Sequence, residues 1–78
     1  MSITLPKEYT LLTDAISDTE IKIKQLIQDR QDLDDYNLPD DLGSRLRECI
    51  DSRIRELIAE KTRYALQQIE IENKLLSD

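Results

Sequence analysis

Seventeen acidic side chains, one thiol and no histidine bound the chemistry open to this 78-residue chain. General acid–base catalysis needs a carboxylate with a displaced pKa in a cleft, usually beside a second titratable group. With so many acids, chance pairs are inevitable, and they read as solvated helix faces. Cys49 has no histidine to activate it, and neither does any serine. It falls at the edge of an apolar stripe, so a packed thiol is the expectation. With no histidine and no second cysteine, a structural zinc site and an intrachain disulfide are both outside the chain's means. No catalytic residue, cofactor site or metal site is assigned, and the reading is non-enzymatic.

The densest charge feature is Asp29, Asp32, Asp34, Asp35, Asp40 and Asp41, opposed between residues 29 and 41 only by Arg30. A calcium loop counted from Asp32 would need glycine at its sixth place and glutamate at its twelfth. Asn37 and Gly43 stand there, and the motif fails. A soluble turn that repels its own kind is the preferred reading. A docking patch for a basic partner is the functional one. Arg45, Arg47, Arg53, Arg55, Lys61 and Arg63 do not form the opposite patch. They scatter around a helical wheel, and Glu48, Asp51, Glu56 and Glu60 interrupt them. A net charge of −6 also opposes direct binding to nucleic acid or to an anionic membrane.

The elements that carry these residues are helical. Tyr9, Leu12, Ile16, Thr19, Ile23, Leu26, Arg30 and Leu33 recur at alternating spacings of three and four. So do Ile50, Ile54, Leu57, Lys61, Tyr64, Gln68, Ile71 and Leu75. Each series is a coiled-coil-like seam. Two echoing entrances, Thr4-Leu5-Pro6-Lys7-Glu8-Tyr9 and Asn37-Leu38-Pro39-Asp40-Asp41-Leu42, place proline at the first helical position and an acid in the first turn. The spacing predicts one domain over residues 1–78, with helix one over about 6–34, a turn over about 35–38 and helix two over about 39–76. The short connection makes the helices antiparallel. Ser17-Asp18-Thr19-Glu20 has capping-box spacing and marks a possible break in helix one, and Gly43-Ser44 marks one in helix two. Acid-first pairs at four-residue spacing, Asp18–Lys22, Glu20–Lys24, Asp51–Arg55 and Glu70–Lys74, are expected to brace the solvent faces. Folding about the turn is expected to set Ile23 and Leu26 against Ile50 and Ile54, and Ile16 against Leu57. It sets Tyr9 and Leu12 against Tyr64, and Ile3 and Leu5 against Ile69 and Ile71.

Helix two has more apolar surface than one partner helix uses. Ile58, Ala65, Ile69 and Leu76 lie ~100° round from its seam, with Ile54 between the two sets. Single exposed residues such as Leu11, Ile21 and Leu66 need no explanation. The aligned set Ile54, Ile58, Ala65, Ile69 and Leu76 is the candidate interface. A chain this short buries only about 60% of its unfolded surface, so self-association into a helical bundle is the expected remedy. The fold class is therefore all-α: a hairpin of two long antiparallel helices, completed as a helical bundle by self-association into a dimer or higher. The function expected is protein interaction or assembly, with the chain itself, another protein, or both as partner. The alternative is an acidic decoy whose carboxylates imitate nucleic-acid phosphates in a basic groove. Residues Met1 to Glu8 show neither a basic run nor an apolar run, so no signal peptide is expected, and no apolar run approaches membrane-spanning length. A cytoplasmic location is the corresponding expectation.

Overall fold

The computed structural model describes residues 5–77. Two helices account for most of them: α1 over Lys7–Leu33 and α2 over Asp40–Leu76, packed along each other as a rod measuring 61 × 16 × 13 Å between Cα extremes. There is no strand among the described residues. Both helices begin one residue later than the entrance motifs predict. Pro6 and Pro39 are extended, with φ/ψ of −58°/147° and −55°/144°, and sit just outside the helix as caps. Their carbonyls accept the first turn's N–H groups, from Tyr9 at 3.0 Å and from Gly43 at 2.9 Å. No side chain caps either start. The acids Glu8, Asp40 and Asp41 stand in the first turns instead, where the helix dipole favours them.

Neither suspected break occurs. At the first, the Thr19 hydroxyl turns inward and donates to the Ala15 carbonyl at 2.7 Å. That bond lets a polar residue sit buried in the seam without an unmet donor, and α1 passes through Ser17 intact. At the second, Gly43 is buried inside a continuous α2 and has no positive φ. The helices are joined without glycine. Successive bonds from Asp34 to Gln31, Asp35 to Asp32 and Tyr36 to Leu33, each spanning three residues, wind the end of α1 tighter. Pro39 then holds Leu38 out of helical geometry.

Every residue of the two predicted seams is buried or half-buried except Arg30, which is exposed. Their pairing is not the predicted one. Bonds between the helices join 9 with 72, 13 with 68, 20 with 61, 30 with 51 and 34 with 47, and each pair of numbers adds to 81. Leu57 is therefore level with Lys24 and borders Leu26, whereas Ile16 is level with Ala65. Leu5 meets Leu75 and Leu76 instead of Ile69 and Ile71, and Ile3 lies outside the described residues. The cause is the connection. A symmetric turn would put residue 34 near residue 39, but the chain runs beyond the end of α1 before α2 begins. Arg47 is level with Asp34, so the first seven residues of α2 project about 10 Å past it. Arg47 fastens this overhang. Its guanidinium lies over Gly43 and donates to Asp34 at 2.8 Å.

The expected acid-first pairs within each helix are absent from the ion pairs of the described residues. Glu20 reaches across to Lys61 at 3.0 Å and Asp51 to Arg30 at 2.8 Å, while Arg53 pairs with Glu56 at 3.0 Å. A carboxylate facing the neighbouring helix finds its cation there without crossing solvent.

Candidate interaction surface

The register puts each residue of the apolar α2 set level with an apolar residue of α1. Ile54 is level with Ile27, Ile58 with Ile23, Ala65 with Ile16, Ile69 with Leu12, and Leu76 with Leu5. Between these rungs lie polar ones: Asp34–Arg47, Arg30–Asp51, Glu20–Lys61, Thr13–Gln68 and Tyr9–Glu72. At ~100° per residue, the α2 members of both sets lie on the same side of the seam. One flank of the hairpin is thus a ladder of alternating apolar and polar rungs.

The hairpin alone does not cover this flank. Ile54 and Ala65 are half-buried, turned partly toward α1, while Ile58, Ile69 and Leu76 remain 49%, 47% and 80% exposed. Ile27 is exposed as well. At mid-length, Ile23, Ile58, Lys61, Thr62, Ala65 and Leu66 line an open groove of about 460 Å³. Ile23 and Leu66 were not among the predicted interface residues. Ile23 belongs to the seam but shows one side to the groove, and Leu66 reads in sequence as an isolated surface residue. At the open end of the rod, Leu5, Glu72, Leu75 and Leu76 enclose a second dip of about 280 Å³. The interior is correspondingly thin. Leu12 and Leu57 are the only buried large apolar side chains among the described residues, and of the two only Leu57 is fully buried.

The six aspartates of the acidic end do not converge. Asp29 accepts from Gln25 at 3.0 Å, Asp32 from Gln28 at 2.9 Å and Asp34 from Arg47. Asp40 and Asp41 stand in the first turn of α2. Among the described residues, no three carboxylates or thiols stand close enough together to hold a metal ion. Cys49 is not packed as its place in the sequence predicts. It is exposed, ~80° from Leu57 around α2, on the side away from the apolar ladder. Seam residues Ile50 and Ile54 occupy the space toward α1, and the thiol is left outside it.

One titrating group is displaced. The Tyr9 hydroxyl donates to Glu72 Oε1 at 2.5 Å, and that bond, with partial desolvation and the carboxylate's charge, raises the phenol above its usual pKa. The contact ties the start of α1 to the end of α2. Gln68 adds to it by donating to the Tyr9 carbonyl at 3.2 Å and to the Thr13 hydroxyl at 2.7 Å. These bonds are structural in character, since each joins the two helices.

No helix among the described residues is long and apolar enough to cross a membrane. Compared with protein-family models, with curated proteins and with solved structures, the chain finds no significant match.

Proposed function

We propose that this hairpin is a non-enzymatic protein-interaction or assembly module that works through the apolar flank of α2. The observation that supports it is the row Ile54, Ile58, Ala65, Ile69 and Leu76. Three of the five stand exposed in a molecule that buries only two large apolar side chains, Leu12 and Leu57, among its described residues. An aligned apolar row on a rigid helix, rimmed by polar groups, is the form that protein-binding surfaces take. The acidic decoy is the weaker proposal, because Asp29, Asp32 and Asp34 are already engaged within the chain. Salt separates the two. A decoy loses affinity as salt rises, whereas an apolar contact hardly responds. The test compares the native chain with Ile58→Glu and Ile69→Glu in two assays, mass in solution and capture of binding proteins from host extract. Self-association or capture that both substitutions abolish supports the reading. A monomer whose capture is indifferent to both refutes it.

A further inference from the structure

The accessible surface of the chain is 6334 Å², for a mass of 9.1 kDa. A compact monomer of that mass exposes about 4,900 Å², so the hairpin carries an excess of about 1,400 Å². A standard interface hides about 800 Å² per partner, and permanent dimers hide more. The unclosed surface is therefore of the size that one further copy covers.

The direction of that copy follows from charge. Six aspartates gather toward one end of a 61 Å rod. A parallel pair would set these ends side by side. It would also set Asp51, Lys61 and Glu72 each beside its own duplicate. An antiparallel pair sends the two acidic ends to opposite ends of the assembly, far beyond the ~8 Å over which charges act at physiological salt. It also opposes the two α2 dipoles.

The register follows from spacing. Ile58 and Ile69 are equidistant from the midpoint between Thr62 and Ala65, the two smallest groove-lining residues on this stretch of α2. Small side chains at a crossing let helix axes approach, and a two-fold axis there uses each isoleucine contact twice.

We propose that the α2 flank is covered by a second copy of this chain, laid antiparallel about a two-fold axis between Thr62 and Ala65, with Ile58 packed on the partner's Ile69. This inference rests on the interaction-module reading and names its occupant. The product is a four-helix bundle in which α2 and its counterpart form the central contact and the two α1 helices lie outside them.

Cys49 supplies the test, since it is exposed, alone and on the side away from the proposed contact. A nitroxide on Cys49 reports its distance to the copy on the other subunit by pulsed electron spin resonance. In the proposed register the two positions are 29 residues apart along the axis, or ~44 Å, and the distance across two helices brings this to about 50 Å. A parallel pair gives below about 30 Å. Antiparallel registers centred on Ile58 or on Ile69 give about 36 Å and about 65 Å. Light scattering at tens of micromolar must show a dimer mass. Thr62→Arg, an exposed substitution that sets like charges across the axis, must return a monomer that keeps its helical circular dichroism. Ile58→Glu must do the same. A distance near 50 Å, lost in both variants, supports the inference. Any of the other distances overturns the arrangement while leaving self-association standing. A monomer mass for the native chain overturns the second copy itself, and flank-dependent capture then decides separately whether the module reading survives.

Discussion

Replacing Leu57 with alanine removes the best-buried side chain of the hairpin, at 1% exposure. Truncating a buried leucine costs 2–5 kcal/mol in general, and the value depends on how far the surroundings collapse into the space. Here one wall is soft. Leu57 borders an open groove of about 260 Å³ whose other lining residues are Lys22, Gln25, Leu26 and Arg53. The long stems of Lys22 and Arg53 can lean inward while their charges stay in water. That places the loss at the lower end, about 2–3 kcal/mol. At roughly 0.05–0.15 kcal/mol per residue, a chain of this length has about 4–12 kcal/mol in all, so the variant remains folded but much weakened. Urea unfolding followed at 222 nm measures it, with Leu11→Ala as the comparison. Leu11 is 58% exposed, and its truncation should cost under about 0.5 kcal/mol. The experiments are run at one chain concentration, because the stability of an associating protein depends on it. A Leu57→Ala loss below about 0.5 kcal/mol, or one no larger than that of Leu11→Ala, would refute the seam and its register.

Gly43→Ala should stabilise the protein by about 0.5–1 kcal/mol, because glycine is costly inside a helix, its φ is not positive, and an added Cβ meets only the Arg47 guanidinium at an ordinary 3.6 Å. A loss of stability in urea would show that the overhang is packed more tightly than the structure has it. Tyr9 makes the fold sensitive to alkali. Its folded pKa is raised, so the stabilisation is fully present below the unfolded phenol value of about 10 and is lost as pH rises through the folded value. Thermal midpoints should fall across that window in the native chain and fall less in Tyr9→Phe; identical profiles would dismiss the Tyr9–Glu72 contact. Cys49 should react with a thiol reagent in the native state about as fast as in urea, since it is exposed. Strong native protection would return it to the packed position.

Much of this was legible in the residue spacing. Pro6 and Pro39 locate both helix starts to within one residue, and the positions at alternating threes and fours are all buried or half-buried except Arg30, though Gly43 and the half-buried Glu20, Arg47, Asp51 and Ala65 fall outside that pattern. The register was not legible, for a reason inherent in the pattern. A seam that repeats every seven residues looks the same after the helices slide by about one repeat, and residue numbers adding to 73 or to 81 both set apolar rows together. The turn would have separated the two, but its path depends on the tightened end of α1 and the extended Pro39, which no periodicity encodes. Cys49 was misplaced for a related reason. A wheel gives its angle from the seam but not the width of the neighbour, and the neighbour here is a single helix.

The polar rungs explain why 81 prevails over 73. In the shorter register Leu12 would face Lys61, whereas Leu26 meets a cation in either, Arg47 there and Arg55 in the observed one, so Leu12 makes the difference. In the observed one Leu12 is level with Ile69, while Lys61 and Arg47 meet Glu20 and Asp34. Each exposed ion pair contributes at most about 1 kcal/mol, too little to hold the fold. A choice between two sliding registers needs only a difference, and burying Leu12 rather than setting it against a cation adds about 1.5–3 kcal/mol to it. The same division of labour bears on the outer surface. Because charged and amide groups set how the helices align, Ile58, Ile69 and Leu76 are not all consumed in holding the hairpin together. Their exposed parts remain for contact with another molecule, at fixed spacing along a helix whose position relative to α1 the polar rungs have already set.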